Sequence, residues 1–175
     1  MTALPLSAAV IDKICRHFPN LSGIPFLGIF PADEIPSLDQ IDDMAAIVVN
    51  THSSGWPGEH WLLMVFSKVR RYLEFFDSFG RHPDEFNPHI ADFVSTFPEV
   101  EWKSPRFQSP ETSVCGYYCI FYLTKLFLKY NRYEIFKELS SQQNADQYVV
   151  DYFVEFRKNS QSGSRFSPRE EVYFA

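Results

Sequence analysis

The stretch from Phe107 to Leu128 constrains the fold of this chain more than any other. It opens polar and turn-prone at Gln108, Ser109 and Pro110. It closes as an apolar run from Tyr117 to Leu128, broken only by Thr124 and Lys125. A run this apolar on every side reads as a helix buried in a core, predicted from Cys115 to about Tyr130. It is shorter than the roughly 20 apolar residues a bilayer span needs. Thr112 or Ser113 is the expected N-cap, because either hydroxyl can accept an unpaired backbone N–H. Cys115 then falls in the first turn. There the free N–H groups and the positive end of the helix dipole favour an anion, and the thiolate is the reactive form of cysteine. Gly116 is expected to leave room beside the sulfur for a substrate. Taken alone, a cysteine at a helix start reads as packing before it reads as a nucleophile, so partners elsewhere must decide.

The partners come from a predicted hairpin. His60 to Phe66 is almost wholly apolar after its first residue, as a central strand would be. Lys68 to Arg71 is charged, and Tyr72 to Asp77 is again β-prone. With the turn centred between Lys68 and Val69, His60 and Asp77 face each other, with Cβ atoms about 5 Å apart. The carboxylate would then fix the imidazole tautomer and favour its charged form. A slip of one residue would put the two side chains on opposite faces. Such a pair on a sheet surface does nothing by itself. With Cys115 it becomes the thiol, base and orienting acid of a cysteine protease. The backbone N–H of Cys115 and the side-chain amide of Gln108 are the candidate oxyanion donors.

Ser7 to His17 is expected to be an amphipathic helix capped by Ser7 and ended by Pro19 and Asn20. Gly23 to Pro36 is expected to be a loop with one short strand, and Ala45 to Asn50 a strand. Thr51 to Glu59 is a loop. In it, Trp56 either packs on the core or walls a cleft, and His52 is solvated. Asp84 to Phe97 is expected to form one helix, Glu99 to Trp102 a brief strand, and Tyr133 to Leu139 and Ala145 to Lys158 two further helices. Gln161 to Ser167 is Ser/Gly-rich and expected to be loose.

Composition excludes several classes. At 175 residues one domain spanning 1–175 is expected. The net charge of −6 argues against a broad electrostatic grip on nucleic acid. Three cysteines, an odd number, without a secretory signal read as reduced thiols of an intracellular protein. There is no Cys-x-x-Cys and no His-Glu-x-x-His, so no metal site and no cofactor is expected.

His60-Trp61, Leu73 to Gly80, and Gln108 through Cys115-Gly116 to Cys119 together resemble the adenain family of adenovirus-type cysteine proteases. Phe26-Leu27-Gly28 and Ala46 to Thr51 add to the resemblance, which covers most of the chain and weakens at both tips. The order His, acid, Gln, Cys is also that of the SUMO and other ubiquitin-like proteases, which are distantly similar. The resemblance implies a papain-like, adenain-like α+β fold with a central mixed sheet flanked by helices. It implies Cys115 as nucleophile, His60 as general base, Asp77 as orienting acid and Gln108 in the oxyanion hole. Trp61, with Trp56 and Gly116, would bind substrate, Trp61 covering a narrow channel for small residues such as glycine. Asp77 stands where the adenoviral enzymes have glutamate; ubiquitin-like proteases have aspartate there.

The implied function is an endopeptidase that matures capsid or core precursors. It would act as a monomer in a host nucleus or virion, in a double-stranded DNA virus or a Polinton (Maverick) element. An activating peptide is a family feature, although no tethering cysteine has a counterpart here, and the acidic charge argues against stimulation by DNA. Two alternatives share these residues: an isopeptidase acting on ubiquitin-like modifiers, and a catalytically dead binding module.

Overall fold

A computed structural model describes residues 3–16 and 23–161. The expected helix stop at Pro19 and Asn20, and the Ser/Gly-rich stretch from residue 162 onward, lie outside them. Five strands form one mixed sheet: β1 (Phe26–Phe30), β2 (Met44–Asn50), β3 (Trp61–Ser67), β4 (Tyr72–Phe76) and β5 (Glu99–Glu101). They lie in chain order across the sheet. The outer pairs β1/β2 and β4/β5 are parallel, and the inner pairs β2/β3 and β3/β4 antiparallel. The helices are α1 (Ala8–Arg16), α2 (Pro88–Ser95), α3 (Cys115–Phe127), α4 (Arg132–Ser140) and α5 (Ala145–Gln161). The α+β architecture with a central mixed sheet flanked by helices is therefore the one observed.

The apolar strands are explained by burial on both faces. Ala46, Val48, Leu63, Val65 and Phe76 point into one core with α1, α3, α4 and α5. The alternating set Ala45, Ile47, Val49, Leu62, Met64 and Phe75 points into a second core, closed by α2 and the loop turns. Every residue of α3 except Leu126 is buried. Its polar side chains are satisfied internally: Thr124 Oγ1 donates to Ile120 O at 2.7 Å, and Lys125 pairs with Glu138 at 2.6 Å. A buried ammonium with its carboxylate partner present avoids most of the cost of an isolated charge.

Four local expectations need correction. The β3/β4 ladder pairs Leu63 with Phe76 and Ser67 with Tyr72, two residues out from the expected register. The turn is centred between Val69 and Arg70, one residue later than expected, with Arg71 in the left-handed region at φ 53°. A shift of two keeps every side chain on its expected face, so His60 and Asp77 become diagonal rather than direct neighbours. The expected single helix from Asp84 is split into a 3-10 turn (Pro83–Glu85) and α2. Pro88 disfavours helical backbone at Asn87, which caps α2 through its side chain instead. Helix α3 ends at Phe127, before Tyr130, with Lys129 at φ 70°. Finally, the N-cap of α3 is Val114, without a side-chain cap, and not Thr112 or Ser113.

Candidate active site

His60, Asp77 and Cys115 each lie at the edge of a regular element, and Gln108 lies in the irregular segment before α3. His60 immediately precedes β3, its carbonyl accepting the Thr51 N–H at 3.0 Å. Asp77 immediately follows β4. The chain then turns at Gly80 (φ 70°), where a Cβ would lie 2.5 Å from Ser104 O. Glycine thus allows both the turn and the close approach of the 104–108 segment. The Ser78 carbonyl accepts the N–H groups of Phe107 and Gln108, both at 3.0 Å. These bonds place Gln108 beside the acid-bearing turn.

His60 Nε2 donates to Asp77 Oδ1 at 2.6 Å. That contact commits Nε2–H to the carboxylate and leaves Nδ1 as the nitrogen available to a thiol. Cys115 and His60 line the same cleft, of about 580 Å³. Burial alone would favour the neutral ring, but hydrogen bonds to Asp77 and Cys115 outweigh it and raise the imidazole's pKa above the ordinary 6.5. Asp77 shows the opposite balance. Burial raises its pKa, but hydrogen bonds from His60 and Arg81 overcome this and hold the carboxyl at about 2. His60 and Asp77 are only 5% and 1% exposed, so water screens these interactions weakly.

Gln108 is 2% exposed and lines the same cleft. Its Oε1 accepts from Ser78 Oγ at 2.7 Å, and its Nε2 donates to Thr112 O at 2.8 Å. An amide nitrogen carries two N–H groups, so one more is available for a reacting oxygen. The backbone N–H of Cys115, at an N-terminus with no side-chain cap, is of the same kind.

The other three site candidates separate. Trp61 and Trp56 line a second cleft, of about 700 Å³, that meets the first at Cys115. Trp56 is 73% exposed, so it walls that cleft and does not join the core. Trp61 Nε1 donates to Leu6 O at 3.2 Å. Gly116 is buried, and the room a Cβ would need is taken by Ile11, Leu6 and Trp61, at 2.9, 3.2 and 3.4 Å. The missing side chain admits the chain's own residues and seats the Trp61 ring; it does not open a path to the sulfur.

Sequence reasoning missed two contributors. The backbone N–H and Nε of Arg81 donate to Asp77 Oδ2 at 2.9 and 3.0 Å, and its guanidinium lies over the rings of Phe79 and Phe86. Asp146 reaches the Gln108–Cys115 segment from α5. Arg81 follows Asp77 by four residues, but only the turn at Gly80 folds it back. Asp146 has no sequence signal at all. Cys15 and Cys119 are buried packing residues.

Among solved structures the chain is similar to the SUMO protease Ulp1 with the catalytic cysteine oxidized to a sulfinic acid. The TM-score is 0.44 and the sequence identity 11%, over 85% of this chain and 78% of that one. No protein-family model and no curated protein matches the sequence.

Proposed function

We propose that this chain is a thiol endopeptidase. The observation that carries the reading is the His60 ring, held by Nε2 to a buried carboxylate, in a cleft shared with Cys115 and Gln108. His60 takes the Cys115 proton, and the thiolate attacks the carbonyl carbon of a peptide bond. The oxyanion that forms meets the Cys115 N–H and the Gln108 amide. The C–N bond then breaks, His60 protonates the departing amine, and a thioester remains. Water, deprotonated by His60, hydrolyses it and restores the thiol. Asp77 stays anionic throughout, consistent with a pKa of about 2.

Two clefts meeting at the sulfur suit an extended chain lying across it. Trp61 beside the N-terminus of α3 favours small residues, such as glycine, before the scissile bond. Precursors of viral structural proteins are the substrates that the adenain resemblance supports. The test is a panel of Gly-containing peptides beside fluorogenic ubiquitin and SUMO substrates, with Cys115→Ala as control. Peptide cleavage that disappears in Cys115→Ala is expected. Cleavage retained in that variant sinks the proposal, and preference for the ubiquitin-like substrates replaces it with the isopeptidase reading.

A further inference from the structure

We propose that Asp146, in the first turn of α5, is a positioning residue that holds the Gln108–Cys115 segment in register with the reacting centre. Asp146 Oδ2 accepts the Ser109 N–H at 3.2 Å and the Thr112 hydroxyl at 2.9 Å. Its Oδ1 accepts the Tyr118 hydroxyl at 2.8 Å. One carboxylate therefore grips the chain just after Gln108, three residues before Cys115 and three residues after it. The Thr112 carbonyl in turn accepts from Gln108 Nε2 at 2.8 Å. A continuous line of hydrogen bonds thus runs from α5 through Thr112 to the amide proposed to bind the oxyanion.

An acidic residue in a first helical turn is usually explained by the helix dipole. Here the N-terminus of α5 has its own cap, since Asn144 Oδ1 accepts the Gln147 N–H at 3.0 Å. The Asp146 oxygens are instead turned off the helix, toward residues 109, 112 and 118. The segment they hold needs them. Between Gln108 and Val114 it has no regular structure, and α3 begins without a side-chain cap. Between it and the start of α5 lies a cavity of about 550 Å³, lined by Asp146 itself, rather than packed side chains. Hydrogen bonds, more than packing, fix where this segment sits. Misplacement of a reacting group by about 1 Å can cost on the order of 10²-fold in rate, and oxyanion donors act only within a narrow distance of the developing charge.

The kinetic consequence rests on the protease reading above; the structural claim does not. The experiment compares Asp146→Ala, Thr112→Val and Thr112→Ser with the unaltered protein. It measures kcat and KM on the best-cleaved peptide, and hydrogen exchange along the chain. Asp146→Ala is expected to lower kcat by about 10- to 10²-fold with KM changed less than about twofold. Exchange should rise at residues 109–114 while α3 stays protected. Thr112→Ser should keep activity, and Thr112→Val should lose it in parallel with Asp146→Ala. Unchanged kcat in Asp146→Ala overturns the proposal, as does exchange that rises equally across α3 and α5. Should Asp146→Ala not fold, the Thr112 pair decides by the same readouts. Should the unaltered protein cleave no peptide, the protease reading falls, and exchange alone decides: a rise confined to 109–114 upholds the proposal and no rise overturns it.

Discussion

His60 and Asp77 bond at 2.6 Å although they are not opposite each other across the hairpin. Continuing the β3/β4 ladder would set His60 against Phe79, and the two rings do lie 5.1 Å apart. Asp77 reaches the imidazole on the diagonal. Arg81 keeps it aimed there by occupying the carboxylate's other oxygen.

In the proposed mechanism the imidazole moves protons, whereas the carboxylate only orients it. His60→Ala is expected to lower kcat/KM by about 10²- to 10⁴-fold. Asp77→Asn should cost less, because its amide oxygen can still accept from Nε2. Steady-state kinetics on one peptide checks the ranking, and the reverse order would mean that another group orients the ring.

The acid limit of stability should depend on Arg81. The Asp77 carboxyl falls from the ordinary 3.8 to about 2 in the folded chain. The folded state therefore binds fewer protons than the unfolded one at low pH. The stabilisation is present above the ordinary carboxylate range and is lost as pH falls toward 2. His60 has the opposite sign. Its raised pKa stabilises the fold fully below about 6.5, and the effect fades as pH rises through the folded value. Arg81→Gln removes the guanidinium bonds to Asp77 and should move the acid limb of a Tm-against-pH curve to higher pH. Superimposable acid limbs would show that His60 and the backbone N–H of residue 81 hold the charge without the guanidinium.

Gly80→Ala should destabilise the chain by roughly 1–3 kcal/mol, because φ is 70° and the added Cβ meets the Ser104 carbonyl at 2.5 Å. The same strain pushes Asp77 and Gln108 apart, so activity should fall further than stability alone accounts for. Urea unfolding together with kinetics at low temperature separates the two effects. A variant as stable and as active as the parent would contradict the close approach.

One thiol of three should react in the folded protein. Burial raises the thiol pKa values of Cys15 and Cys119, which are 0% and 1% exposed. Cys115 borders both clefts. Iodoacetamide near neutral pH should add a single group, on Cys115, and three groups after denaturation. Intact mass and peptide mapping read the result; labelling of Cys119 before unfolding would place the helix face wrongly.

Much of this candidate site was legible because its residues belong to short, local patterns. The polar-to-apolar switch at Cys115 marks the start of a buried helix, and α3 begins there. The two apolar runs around Lys68 to Arg71 form the hairpin, and parity alone kept His60 and Asp77 on one face despite the error of two in register. The misreadings came from contacts with distant segments. Thr112 looked like a cap because its hydroxyl can accept an N–H locally; in the fold that hydroxyl points toward Asp146 and the Ser109 carbonyl. Gly116 looked like an opening because its neighbours Leu6 and Ile11 are more than 100 positions away in the chain.

By itself the order of residues determined the element types, the core helix and the list of groups able to do thiol chemistry, since periodicity and residue type act over a few positions. Tertiary structure alone decided which nitrogen of His60 meets the acid, that Arg81 shares that acid, and that a carboxylate on the last described helix ties down the segment before the cysteine. Those outcomes are distances between segments far apart in the chain. They are set by how two cores pack against one sheet, which no local pattern encodes.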